Sequence, residues 1–197
     1  MNTPNKLTLA RIILTPVFMV TMLVAFPYHY AVSLVIFVAA SITDLIDGKL
    51  ARKNHLVTDF GKFLDPLADK MLTTAAYIGF IYAYRDNFVC CLIVTLVTFV
   101  VLFREFAVSS IRLVSVSSGG GVIAANIWGK LKTVTQMVGL SAALTFKAAG
   151  EILPLTKGIQ NVLDIIVMVL FCISGVLCII SGIIYLAGSY KYINPSK

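Results

Sequence analysis

The sequence predicts an all-α integral membrane protein: six transmembrane helices around a polar cavity at one side of the bilayer. Three observations predict it. The 197 residues are 59% hydrophobic and 13% charged, with a mean hydropathy of +0.94, whereas a soluble domain is about 45–50% apolar and about 25% charged. Six apolar stretches each approach the ~20 residues that cross a hydrocarbon core. Five of the nine acidic residues crowd between positions 44 and 69, an uneven use of charge in so greasy a chain.

The apolar stretches run roughly over residues 7–26, 30–51, 63–84, 88–111, 131–149 and 162–187. The gaps at 27–29 and 85–87 admit only tight hairpins between antiparallel helices. The longer segments 52–62 and 112–130 then fall on one side of an even-numbered bundle, together with both termini. No internal repeat divides the chain, so residues 1–197 read as one domain. Residues 1–6 are too short for the charged region of a leader and no cleavage site follows, so the first apolar stretch is expected to be retained.

Charge orients the bundle. The side with the termini and long segments holds most of the cations, among them Lys6, Arg52, Arg104, Arg112 and Lys130, and the other side holds Arg85, Lys147 and Lys157. By the positive-inside rule both termini and the polar cavity face the cytoplasm of a multi-pass protein of the cell membrane. Sixteen Lys and Arg against nine Asp and Glu suit anionic lipid headgroups or an anionic substrate. Nucleic acid is excluded as a partner, because no soluble basic domain exists to hold it. Cys90, Cys91, Cys172 and Cys178 follow no ligand spacing and read as small buried hydrophobes. His29 and His55 read as loop residues, 117–121 as a plain turn, and Asp164 as a capping or interfacial group.

The acidic cluster carries the chemistry. Asp44 and Asp47 are three residues apart and Asp65 and Asp69 four apart, so each pair shares a helix face. The two helices are joined by a short segment and should be antiparallel neighbours, bringing four carboxylates together near the membrane surface. A carboxylate at membrane depth costs about 2.5–3.5 kcal/mol, and four that repel one another would mostly protonate. Divalent cations remove both penalties. Oxygen-only ligands suit Mg²⁺, Mn²⁺ or Ca²⁺ rather than Zn²⁺, and four carboxylates suffice for two metal ions that clamp a phosphoryl group. The cavity is therefore expected to bind metal. Gly48 and Ala51 beyond the first pair, and Gly61 before the second, leave room for a ligand to approach the backbone. Arg52 stands one turn after Gly48, ready to meet phosphate.

These residues form D-x2-D-G-x2-A-R-x8-G-x3-D-x3-D, with Asp44, Asp47, Gly48, Ala51, Arg52, Gly61, Asp65 and Asp69 at its fixed positions. The segment resembles the signature of the CDP-alcohol phosphotransferases. The resemblance implies a homodimer, a bound CDP-linked lipid and release of CMP. It also implies that the four aspartates hold two divalent cations, Mg²⁺ or Mn²⁺, and that Asp69 serves as base toward the acceptor hydroxyl.

A second basic cluster bears on the acceptor. Arg104 and Arg112 are eight apart, about 80° around a helix, so both can face one cavity. Lys130 and Lys132 open the fifth helix, but two residues apart they cannot both face the same way. Cations beside a metal-diphosphate centre suit an acceptor that carries its own phosphate. Glu105 either orients Arg104 or neutralises it. P-N-K-L-T-L-A-R at 4–11, R-E-F-A-V at 104–108 and I-A-A-N-I-W-G-K-L-K-T at 123–133 resemble one branch of the family, the bacterial phosphatidylglycerophosphate synthases. That resemblance implies CDP-diacylglycerol as donor and glycerol 3-phosphate as acceptor. It implies further that Arg104, Arg112 and Lys130 bind the acceptor phosphate, and the basic cluster adds Lys132 as a candidate. Asn5, Thr8 and Arg11 would then lie beside the nucleotide, with Gly48, Ala51, Arg52 and Gly61 on the donor.

Two other readings compete. The same chemistry could serve serine, inositol phosphate or a lipid alcohol. A divalent-cation transporter would instead line a path with carboxylates spread through the membrane, whereas these cluster at one end of two helices beside Arg52.

Overall fold

The computed structural model describes the backbone of residues 3–53, 59–117 and 127–189, with the side chains of 5–43, 64, 66–68, 70–115 and 127–189. It contains six helices in these residues: α1 (Thr3–Leu23), α2 (His29–Lys53), α3 (Asp59–Ala83), α4 (Phe88–Ser117), α5 (Ile127–Ile152) and α6 (Lys157–Ser189). His55 and most of the 117–121 turn lie outside the described residues.

Local chemistry sets the helix ends. Between α1 and α2, Pro27 is followed by Tyr28 at φ 61°, and His29 N–H donates to the Phe26 carbonyl at 3.2 Å. Asn87 Oδ1 accepts from Cys90 N–H at 3.2 Å and caps α4. Glu151 Oε2, at the end of α5, accepts from Tyr30 N–H at 2.9 Å and Ala31 N–H at 3.3 Å. A carboxylate there meets the otherwise unpaired donors and the positive end of the α2 dipole.

The helices alternate in direction, and α1 packs extensively on both α2 and α3, while α2 and α3 touch each other little among the described residues. The helix pairs α5–α6, α4–α6 and α2–α5 complete the bundle. Its core is aromatic. Phe18 meets Phe37 at 5.8 Å between ring centroids, and Phe171 meets Tyr77 at 5.4 Å and Phe80 at 5.7 Å. The buried Tyr77 hydroxyl shares a hydrogen bond with Ser174 at 3.1 Å.

The outer surface is apolar. Ile13, Val20, Val35, Phe99, Phe103 and Ile165 are exposed, which in water would leave large uncovered patches and in lipid costs nothing. This is a membrane protein. The expectation of six transmembrane helices is nonetheless corrected. Among the described residues three helices are long and apolar enough to cross a membrane: Asn5–Leu23, Phe88–Ser115 and Lys157–Ser189. The apolar part of α2, His29–Thr43, is shorter. The reason is polar sequence inside the remaining helices. Asp44, Asp47, Lys49, Arg52 and Lys53 end the apolar run of α2; Lys62, Asp65, Asp69 and Lys70 occupy the first half of α3; Lys130, Lys132, Lys147 and Glu151 flank that of α5. The cysteine expectation also changes. Cys90 and Cys178 are buried, but Cys91 is half-buried and Cys172 exposed on the apolar exterior.

At the end opposite the motif, Asp164 accepts from Tyr84 Oη at 2.8 Å and pairs with Lys147 at 3.0 Å, while His29 Nε2 lies 3.3 Å from Glu151. These contacts tie α2, α3, α5 and α6 together and give Asp164 and His29 structural roles. Close backbone approach matters at Gly79, where a Cβ would stand 2.8 Å from Met22 Cε and 3.0 Å from Met22 Cβ. Gly79→Leu is expected to wedge α3 off α1 and cost about 1–3 kcal/mol. Thermal unfolding in detergent checks this, and an unchanged Tm sinks it.

Candidate active site

The buried face of α1 changes character along its length. Asn5, Thr8, Arg11 and Thr15 recur at helical spacing and are buried, and Phe18 and Met22 continue the same stripe into the aromatic core. The polar half lies at the end of the bundle where α2 finishes and α3 begins, and α1 packs on both. A guanidinium as buried as that of Arg11, 1% exposed, is tolerable only with charge or hydrogen-bond partners around it. The three α1 residues predicted to border a ligand thus face inward, toward the helices that carry the motif.

Asp44, Asp47, Gly48, Ala51 and Arg52 stand on the last part of α2, and Gly61, Asp65 and Asp69 on the first half of α3. Their side chains lie outside the described residues. The helical backbone keeps the three- and four-residue spacings meaningful, so each aspartate pair shares a face. Pro66 sits inside α3 between Asp65 and Asp69 and has no N–H to donate to the preceding turn. Among the residues whose side chains are described, no three His, Cys, Asp or Glu groups are arranged to hold a metal. The donor set of the motif, four carboxylates at one end of two helices, fits hard divalent cations.

The basic cluster is resolved in detail. Arg104 on α4 is mostly buried; its Nη2 donates to Ser181 Oγ of α6 at 2.8 Å and its Nη1 to Glu105 Oε1 at 3.0 Å. Lys132 on α5 is buried, 6% exposed, and pairs with the same Glu105 oxygen. Lys70 on α3 lies 3.8 Å from Glu105 Oε2 and donates to Ser109 Oγ. Glycine makes room for this: a Cβ on Gly182 would press Arg104 Cγ at 3.2 Å, and one on Gly129 would stand 3.7 Å from Arg104 Nη2. Arg112 is exposed on α4 and Lys130 exposed on α5. The two lysines therefore divide as their spacing requires, Lys132 inward and Lys130 outward. Arg104, Lys132 and Glu105 are brought together, while Arg112 and Lys130 stand outside their hydrogen-bonded group. Sequence reasoning missed Lys70 and Ser181. Lys70 follows Asp69 directly, and that adjacency was the available signal. Nothing local marked Ser181.

Among the described residues, three cations surround one carboxylate here. Such an excess in a partly buried place favours a phosphate dianion, through charge-assisted hydrogen bonds.

Known proteins are similar to this chain. The family model described as CDP-alcohol phosphatidyltransferase matches residues 1–180. The chain is 44% identical over 155 residues to CDP-diacylglycerol–glycerol-3-phosphate 3-phosphatidyltransferase of Bacillus subtilis, covering 73% of this chain and 76% of that one. It is 36% identical over 195 residues to the protein of the same description from Rickettsia bellii, covering 97% of each. A third, from Salmonella paratyphi A, is 40% identical over 141 residues, 71% of this chain and 75% of that one. With the aspartate motif intact and likeness running from end to end, the chain belongs to the CDP-alcohol phosphatidyltransferase family and is an enzyme of that family.

Proposed function

We propose that the chain transfers the phosphatidyl group of CDP-diacylglycerol to glycerol 3-phosphate, giving phosphatidylglycerophosphate and CMP. The main support is the convergence of Lys70, Arg104 and Lys132 from three helices at the motif end of the bundle. An acceptor without net negative charge, such as serine or glycerol, makes less use of that cluster of cations. The activity named for the Bacillus and Rickettsia relatives agrees with it.

Asn5, Thr8 and Arg11 on α1, with Gly48, Ala51, Arg52 and Gly61, would receive the nucleotide and diphosphate of CDP-diacylglycerol. Arg104 and Lys132 would receive the acceptor phosphate, with Arg112, exposed on the same helix as Arg104, reaching it from the rim and Lys130 on the outward face. Asp44, Asp47, Asp65 and Asp69 would hold two divalent cations, Mg²⁺ or Mn²⁺. Once bound, the cations neutralise the diphosphate and the carboxylates around it. Asp69 takes the proton from the primary hydroxyl of glycerol 3-phosphate. That oxygen bonds to the lipid-linked phosphorus, the bond from this phosphorus to the bridging oxygen breaks, and CMP leaves with the bridging oxygen. The motif end, where α1 starts and α6 finishes, faces the cytoplasm, in keeping with its excess of Lys and Arg. The functional unit is a homodimer of one-domain chains in the cell membrane, as the family likeness suggests.

The test is CMP release from CDP-diacylglycerol by purified protein in detergent, offered glycerol 3-phosphate, glycerol, serine or inositol phosphate in turn. Strong preference for glycerol 3-phosphate is expected, and equal use of glycerol refutes the acceptor. Arg112 is exposed, so Arg112→Ala leaves the packing intact. A charged hydrogen bond is worth about 1.5–3 kcal/mol, so the variant is expected to raise the acceptor KM roughly ten- to a hundred-fold. The KM for CDP-diacylglycerol stays near wild type. An equal rise for both substrates removes Arg112 from the acceptor site.

A further inference from the structure

We infer that Glu105 is a positioning residue for the acceptor: one carboxylate that holds Lys70, Arg104 and Lys132 together as a single phosphate cradle. The inference rests on the function proposed above and deepens it, because it adds Lys70 to the cradle and assigns the group that assembles it.

The geometry carries the case. Glu105 Oε1 meets both Arg104 Nη1, at 3.0 Å, and Lys132 Nζ, and Glu105 Oε2 lies 3.8 Å from Lys70 Nζ. The cations come from α4, α5 and α3, so nothing in the covalent chain keeps them near one another. Three like charges this close repel strongly where water is scarce. The carboxylate is mostly buried itself, 19% exposed, and among the described residues it meets all three. Both of its oxygens are engaged, which fixes its orientation as well as its charge. Arg104 is further fixed by Ser181, and Lys70 by Ser109. Arg104 Nε is buried without a hydrogen-bond partner, so the guanidinium retains an unused donor beside the cluster. Among the described residues one carboxylate faces three cations, a surplus of positive charge that suits a phosphate monoester.

A carboxylate in this place could act in one of two opposite ways. As a positioning residue it keeps the cations where phosphate needs them, and its loss weakens acceptor binding. As a competitor it occupies the cations that phosphate must win, and its loss tightens binding. The shared contacts favour positioning. Arg104 and Lys132 meet the same oxygen, so the carboxylate pulls them toward each other, and Lys70 is engaged by the other oxygen.

The experiment measures CMP release with each substrate varied in turn at saturating levels of the other, for wild type, Glu105→Gln and Glu105→Asp. Glu105→Gln is expected to raise the KM for glycerol 3-phosphate at least tenfold and to leave the KM for CDP-diacylglycerol within about twofold. Glu105→Asp keeps the charge but withdraws it by one methylene, and an intermediate KM is expected. A purely structural role would instead disturb both substrates alike. If Glu105→Gln does not fold, Glu105→Asp carries the test alone: a raised KM for glycerol 3-phosphate with an unchanged KM for CDP-diacylglycerol supports the inference, and wild-type values for both overturn it. An unchanged or lowered acceptor KM, or equal rises for both substrates, overturns the inference. Wild-type protein without preference for glycerol 3-phosphate overturns the proposed function, and the inference with it. Wild type that prefers glycerol 3-phosphate, paired with a Glu105→Gln variant of normal KM, overturns the inference alone.

Discussion

Asp44→Asn is expected to abolish CMP release while the protein stays folded, and excess chelator is expected to do the same to wild type. The expectation follows from charge. Asp44, Asp47, Asp65 and Asp69 stand at one end of α2 and α3, and the donor substrate adds a diphosphate to them. Without divalent cations that collection of negative charge cannot share one site. Metal stabilisation of a reacting phosphoryl group is worth several kcal/mol, so a loss on the order of a thousandfold or more is expected. Folding should not suffer, because removing one of four repelling carboxylates relieves the metal-free protein. Binding also reads out in stability. A cation that binds only the folded state raises stability by RT ln(1 + [L]/Kd). Wild type should therefore gain Tm on addition of Mg²⁺ or Mn²⁺, and Asp44→Asn should gain much less. Full activity in excess chelator, or the same metal-dependent rise in Tm for both proteins, sinks the metal site.

Much of this was legible in the sequence, for identifiable reasons. Helices α1 to α6 follow the apolar stretches, because tight hairpins at 27–29 and 85–87 leave no other way to connect them. The aspartate motif was legible because its spacings are local to two helices. Bundle geometry was not. Apolar length suggested six spans, yet polar residues interrupt α2 and α3 at the motif end and flank α5 at both ends. The apolar count cannot tell a helix that crosses lipid from one that packs inside protein. The rotation of α5 decides that Lys132 turns in and Lys130 out, and spacing could say only that they differ. Glu105 and Lys132 are 27 residues apart, and Arg104 and Ser181 are 77 apart. Only the packing of α3, α4, α5 and α6 brings such positions together.

Asp69→Asn is the other change expected to remove turnover, for a different reason. Asp69 stands one turn beyond Asp65 on α3, and Lys70, next in sequence, reaches toward the Glu105 cluster. As the proposed base, its carboxylate would take the proton of the attacking hydroxyl. Geometry comes before basicity in such a group, and an amide of the same shape cannot accept the proton. Asp69→Asn is therefore expected to lose transfer while still binding CDP-diacylglycerol. The rival pathway is covalent: an aspartate attacks phosphorus first and the alcohol then displaces it. The two differ in stereochemistry. One in-line displacement inverts the configuration at the lipid-linked phosphorus, and two successive displacements retain it. Inversion is expected, with sequential kinetics rather than exchange of CMP in the absence of acceptor. A donor made chiral by isotopic labelling at the lipid-linked phosphorus decides between them. Net retention, or CMP release from donor alone at a rate matching turnover, rules out direct transfer with Asp69 as the base.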